Sequence, residues 1–299
     1  MEKNILKQKR KLGLSIGIFM IVINAISYLS SFLLVKFDLV TEQNQYVLSY
    51  VVNAINIYVI GYAVFKLALR KVECVEKKEK QKLKLTEILL LMCVTVGGAQ
   101  FVNIITQIIL LAIKALLHTD INNNVADMIE NSNPIATFIF AALLGPIFEE
   151  LIFRGTLLKR LRVYGDKTAI IYTAIAFGLF HTNINQIPFA ITCGLVLGYS
   201  MVRTNNIKWP IFLHIFMNSI SVVLSILLKF DLTIPMFIVE LLIMISIILT
   251  LVFVPIKLST GKVKVSNESK YDKKNLYKNA GYIFTLVLIV IITVIEAFI

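Results

Sequence analysis

Charged side chains are scarce in this 299-residue chain, at 16% against 58% hydrophobic residues. A soluble domain of this length could not keep so much apolar surface from water, so the composition excludes one and points to a polytopic membrane protein. Acid is scarcer than base: 18 Asp and Glu stand against 30 Lys and Arg, for a net charge of +12. In a soluble chain that excess would suggest nucleic acid. Here the lysines crowd into short segments between apolar runs, as cytoplasmic loops do, and nothing supports a nucleic-acid partner. The three cysteines, Cys74, Cys93 and Cys193, lack any C-x-x-C spacing, which argues against a disulfide framework or a thiolate metal site. There is no H-E-x-x-H, no pair of aspartates within the apolar runs, and no long internal repeat.

What is present is a succession of apolar runs. The expected fold is all-α, a polytopic membrane helix bundle of about eight to nine transmembrane helices. The basic N-terminus (Lys3, Lys7, Lys9, Arg10, Lys11) is expected in the cytoplasm, followed by a first span at Leu12–Val35. Further spans are read at 46–69, 86–117, 134–154, 168–182, 186–202, 210–228, 233–256 and 280–299. Lysine-rich segments at 70–84, 159–167, 203–208 and 257–279 mark the inside. The segment 118–133, with Asp120, Asp127 and Glu130 and no Lys or Arg, marks the outside. The abundance of Ile, Lys and Asn suits an AT-rich bacterial genome, so a multi-pass bacterial cell-membrane protein is expected. Three parts are expected: helices 1–3 with their charged loop at 1–133, a functional core at 134–230, and two last helices at 231–299. Gly97-Gly98 is read as a kink or tilt point in a long third span. Gly194 and Gly198 form a small-xxx-small stripe for close helix packing. Gly13-x-Ser15-x-Gly17 has the letters of a nucleophile elbow but opens a helix, so it is read as coincidence.

Against this background Phe148-Glu149-Glu150-Leu151-Ile152-Phe153-Arg154-Gly155 stands out. A charge near the bilayer centre costs at least ~2.5–3.5 kcal/mol on the insertion scale, so two adjacent carboxylates need a reason. Glu150 and Arg154 are four apart on one helix face and can pair. Glu149 is rotated about 100° away and is left to face something else. Two of the three histidines lie in other apolar runs: His181 after Phe177-Gly178-Leu179-Phe180, and His214 one turn before Asn218. His118 falls in an outer loop. Alone, each buried histidine reads as a helix–helix hydrogen bond. Together with the acidic pair they read as one site. Measured from the basic loops, Glu149 and His214 come out shallow and His181 deep, a mismatch that needs a tilted fifth helix. The positive-inside pattern places the site's opening toward the cytoplasm.

A glutamate that takes a proton from water, a histidine that shares that water or binds a metal, and an amide that donates to an oxyanion are a kit for hydrolysing an amide bond. In order, Glu149-Glu150-x-x-x-Arg154, Phe177-x-x-x-His181 and His214-x-x-x-Asn218 resemble the three motifs of the CAAX protease and bacteriocin-processing (CPBP, Abi) family of intramembrane endopeptidases. The resemblance covers about 134–228. It implies Glu149 as catalytic glutamate with His181 as its partner on the water. It implies His214 and Asn218 as support for the oxyanion and Glu150 and Arg154 as groups that orient the first helix, with Phe177 as a further supporting residue. The substrate would be a peptide or protein in the bilayer; bacteriocin or pheromone precursors are the partners implied for bacterial relatives.

Two other readings compete. One is a non-catalytic protein of the same fold, a bacteriocin immunity factor or a regulator bound to a sensor kinase. The other is a proton channel or transporter, kept open by Glu240 in the eighth span, although that residue reads more simply as a helix–helix contact. No cofactor is favoured. Zinc is the alternative, with His181, His214 and Glu149 as its ligands. Asn218 is a poor zinc ligand, and Glu149 cannot be both ligand and base, so a glutamate mechanism without metal accounts for more of the residues.

Overall fold

A computed structural model describes residues 2–298 other than 76–79, 120, 262, 264, 267, 275 and 277. The expected Lys77, Lys78 and Asp120 lie outside the described residues. The chain is all-α, with no strand among the described residues. The helices are α1 (Glu2–Lys36), α2 (Gln45–Leu69), α3 (Leu85–Leu117), α4 (Asn124–Asn131), α5 (Pro134–Tyr164), α6 (Asp166–Phe180), α7 (Ile187–Thr204), α8 (Lys208–Lys229), α9 (Thr233–Ser259) and α10 (Ala280–Phe298). Eight of them, all except α4 and α6, are long and apolar enough to cross a membrane. The chain is a polytopic helical membrane bundle. The expected fifth span is α6, only 15 residues long and so about 22 Å. It is buried along most of its length by its neighbours, chiefly α7.

Packing follows the small residues. Gly13 in α1 faces the backbone of α10 at Tyr282, and Gly281 in α10 faces Arg10 and Leu14; a β-carbon at either would stand under 3.0 Å from that backbone. Gly13 thus serves helix packing, and Ser15 Oγ donates to its own helix at Leu12. Gly194 and Gly198 both lie against α6, at Ala174 and Ile170, as the small-residue stripe predicts. α3 runs unbroken through Gly97-Gly98, and Gly97 is where the Ser246 carbonyl of α9 seats, 2.1 Å from where a β-carbon would be. The glycine answers to a neighbouring helix, a packing role that its sequence position did not show.

The lysine-rich ends gather at one end of the bundle. The linker after α9 returns there: Lys270 and Tyr271 donate backbone hydrogen bonds to Val163, and Lys270 pairs with Glu73 at 2.5 Å. Hydrogen bonds from Lys270 and Tyr271 hold the Glu73 carboxyl below the usual range. Lys229 caps the outer segment at Glu130 and Ser132, at the other end. His118 is exposed there, as expected. Glu240 is exposed as well, which corrects its reading as a helix contact. It lies seven residues from the start of α9, close to the end where headgroups would be.

Candidate active site

The site is built on α5, and α5 does not end where its charge suggested. Arg154 was expected at the membrane surface; the helix instead continues to Tyr164, and Arg154 is fully buried. The charge is tolerated because it is surrounded. Arg154 Nη1 donates to Glu150 Oε1 at 2.7 Å, Nη2 donates to the Gly194 carbonyl at 3.1 Å, and the guanidinium lies 4.5 Å from the Phe177 ring centroid. A buried ion pair is retained when such extra contacts satisfy it. Gly194 is therefore doubly used, admitting α6 on one side and offering its carbonyl to Arg154.

The extra ten residues of α5 also remove the depth mismatch. Glu149 is fifteen residues from Tyr164, and α6 places fifteen residues between the basic end and His181. Both therefore stand about 22 Å from that end.

Glu150 also receives a second partner, His214 Nδ1 at 3.0 Å. The same ring presents Nε2 to Glu149 Oε2 at 3.7 Å. His214 thus lies between the two carboxylates. With Nδ1–H donated to Glu150, Nε2 can donate only when the ring carries both protons. Glu150 is completely sealed, whereas the Glu149 side chain keeps 16% of its surface open. The two glutamates, adjacent in sequence, have different tasks: one is held by Arg154 and His214, the other faces a cavity. His181 follows the last turn of α6, and its Nδ1 lies 2.9 Å from the Phe177 carbonyl. A carbonyl can only accept, so Nδ1 carries the proton and the neutral ring keeps its Nε2 lone pair. The Phe177 ring packs edge-on against both His181 and His214, with centroids 4.9 and 5.5 Å away. One aromatic ring touches the arginine and both histidines.

Asn218 is anchored as well. Its Nδ2 donates to the Ala141 carbonyl at 2.9 Å. The cause lies in α5: residues Phe138–Leu144 form π-helical turns in which Gly145 N bonds to Phe140 O. In that register the next donor would be residue 146, a proline without N–H, so the Ala141 carbonyl is left for Asn218. Gly145-Pro146 thus loosens the helix here, and the asparagine fills the gap. One amide N–H of Asn218 is committed to structure and its second remains.

Glu149, His181, His214 and Asn218 line a single cavity of about 260 Å³. Its wall also includes Gln100 and Asn103 of α3, and Asn185 and Gln186 beyond His181. Sequence reasoning missed these amides, since no spacing ties α3 to the motif helices. It also missed Tyr58, whose ring stacks on Phe148 at 4.7 Å and whose hydroxyl crowds the bare face of Gly145 beside Glu149 Oε1. The cavity's lining reaches Ile129, Asn185 and Gln186, and this part of the chain is tied to the outer segment by Asn183 Nδ2 to Asn123 Oδ1. The expectation that the site opens at the basic end is therefore corrected: it extends toward the opposite end. The physical reason is again the length of α5, whose last four turns fill the space between Glu149 and the basic loops.

For a metal, the available nitrogen donors would be Nε2 of His181 and of His214. Among the described residues, no three His, Cys, Asp or Glu side chains close round one point. The donor set does not fit a His₂Glu zinc ion, whose ligands stand about 2.0–2.2 Å from the metal. No disulfide joins the three cysteines; Cys74 is exposed and Cys193 buried.

Fold and site together define a polytopic membrane protein carrying a carboxylate–histidine cluster within its bundle, part of it lining a cavity. Residues 131–220 match the family described as type II CAAX prenyl endopeptidase Rce1-like. Over 92 residues the chain is 28% identical to "Putative membrane peptidase YdiL" of Bacillus subtilis (strain 168), covering 29% of this chain and 36% of that protein. Over 115 residues it is 25% identical to the membrane-embedded CAAX protease MroQ of Staphylococcus aureus (strain USA300), covering 36% and 47%. The chain thus spans less than half the length of these two relatives. No solved structure matches it. The segment 131–220, which carries all three motifs, is thus similar to CAAX-protease-type membrane peptidases.

Proposed function

We propose that this chain is an intramembrane endopeptidase that hydrolyses a peptide bond of a membrane-associated peptide or protein, with water activated by Glu149 and His181. The observation that carries the reading is the division of labour within the acidic pair: Glu150 is fully buried with its Oε1 held by Arg154 and His214, while Glu149 faces the cavity that His181 and Asn218 share. A water held between the Glu149 carboxylate and the His181 Nε2 lone pair has two acceptors for its protons. Its oxygen attacks the carbonyl carbon, and its proton passes to Glu149. The oxygen anion that forms takes the second N–H of Asn218 and, when the ring carries both protons, His214 Nε2–H. The proton on Glu149 then moves to the amide nitrogen as the C–N bond breaks. No step requires a metal, and none is assigned.

The test is turnover by the full chain in lipid nanodiscs, with fragments of membrane-inserting peptides identified by mass spectrometry. Glu149→Gln is expected to lower the rate by about 10²–10⁴, the usual contribution of a positioned acid–base group. Chelation is expected to leave wild-type turnover unchanged. Equal fragment patterns from wild type and Glu149→Gln would instead favour a non-catalytic immunity or regulatory role. Loss of activity on chelation that one equivalent of zinc restores would replace the glutamate mechanism with a metal one.

A further inference from the structure

A second, larger cavity of about 760 Å³ lies outside the site, in a groove between α3, α6, α7 and α9. Its walls are apolar, with Leu90, Val94, Ile171, Leu195 and Phe253 facing it. Its mouth at the basic end is different: Lys167, Arg203 and Lys257 stand there with a single carboxylate, Glu87. Glu87 is taken by Arg203 at 3.2 Å. Neither lysine has an acidic partner among the described residues. Tyr199, one turn from Arg203, adds an amphipathic ring near the mouth.

The depth of the groove identifies its occupant. Along α3 the lining runs from Glu87 at the mouth to Gly98 at the inner end, eleven residues or about 16 Å. Half the ~30 Å hydrocarbon core of a bilayer is about 15 Å. The groove is therefore one leaflet deep, cationic where headgroups lie and apolar where acyl chains lie. Basic recesses between spans on that side suit anionic headgroups.

We propose that this groove is a binding site for one anionic phospholipid of the leaflet facing the basic end, its phosphate between Lys167 and Lys257 and an acyl chain along Leu90, Val94 and Leu195. The site is independent of the proposed hydrolysis. It shares α3 and α7 with the catalytic cavity: Thr192 and Leu195 face the groove while Phe189 and Cys193 face the other side.

Native mass spectrometry of the full chain in detergent, with phosphatidylglycerol or phosphatidylcholine added as the probe, tests this. The wild type is expected to retain one phosphatidylglycerol in preference to phosphatidylcholine. Lys167→Gln and Lys257→Gln should each weaken phosphatidylglycerol retention about fivefold and together about 25-fold, leaving phosphatidylcholine unchanged. Gly98→Leu is the independent variant. A β-carbon at Gly98 meets only Thr192 and Thr250 methyls at ordinary distances of 3.6 and 3.8 Å, so a larger side chain grows into the groove. It should reduce retention of both lipids, with thermal unfolding in the same detergent confirming the fold. Equal retention of the two lipids by wild type would overturn the proposal. So would unchanged phosphatidylglycerol binding in the double lysine variant, or in a folded Gly98→Leu protein.

Discussion

Arg154 is the residue on which the site's electrostatics turn. It is fully buried, and so is its partner Glu150. Removing one member of such a pair strands the other charge and costs about 3–5 kcal/mol, whereas removing both costs much less. Glu150→Ala and Arg154→Ala should therefore each sharply lower thermal stability in detergent, and the double variant should be more stable than the two losses summed. A cycle showing simple additivity would sink the pairing. His214 enters the same network through Glu150, so His214→Ala should couple to Glu150→Ala as well, unlike changes at the exposed His118. Glu149 stands apart from this cluster in one respect that matters: it keeps solvent-accessible surface, so Glu149→Gln should affect turnover far more than stability.

At the scale of elements, two helices are shaped by what they pack against. Gly97→Val in α3 would push a side chain into the Ser246 carbonyl of α9. Overpacking of this kind typically costs 1–3 kcal/mol. Gly98→Ala, one position on, should be tolerated, because its β-carbon finds ordinary contacts. Comparing the two unfolding temperatures separates packing from a general intolerance of side chains at the Gly-Gly pair. In α5, Asn218→Ala leaves the half-buried Ala141 carbonyl without its donor, a loss of about 1 kcal/mol. Pro146→Ala supplies the missing backbone N–H and should recover part of that stability. It should not recover turnover, which on the proposed mechanism needs the second Asn218 N–H. Recovery of both together would reduce Asn218 to a structural residue.

At the scale of the molecule, all the basic loops lie at one end and the cavity lined by Glu149, His181, His214 and Asn218 extends toward the other. With the basic end in the cytoplasm, as charge asymmetry favours, substrate would enter from the outer half of the bilayer or from outside. Single cysteines placed at Asn122 and Lys71, in a background lacking Cys74, check this in intact cells. A membrane-impermeant thiol reagent should label Asn122→Cys and spare Lys71→Cys. The reverse pattern would invert the chain in the membrane and place the cavity toward the cytoplasm.

The sequence by itself determined the bilayer class, nearly every helix and all four residues around the cavity, because each is a local signal. Scarce charge and long apolar runs make membrane helices, and i,i+4 spacing puts Glu150 with Arg154 and His214 with Asn218 on shared faces. It could not show where α5 ends. An arginine in an apolar run reads as an interface until the groups that neutralise it are visible, and these are the Gly194 carbonyl and the Phe177 ring, on two other helices. From that one boundary followed both the depth mismatch for His181 and the wrong direction for the cavity. Tyr58, Asn103 and the lysine-rimmed groove were equally invisible, since each exists only where non-adjacent helices meet. Spacing already paired Glu150 with Arg154 and left Glu149 over; what tertiary structure added is His214 as a second partner of Glu150 and the cavity beside Glu149, because both come from helices distant in sequence.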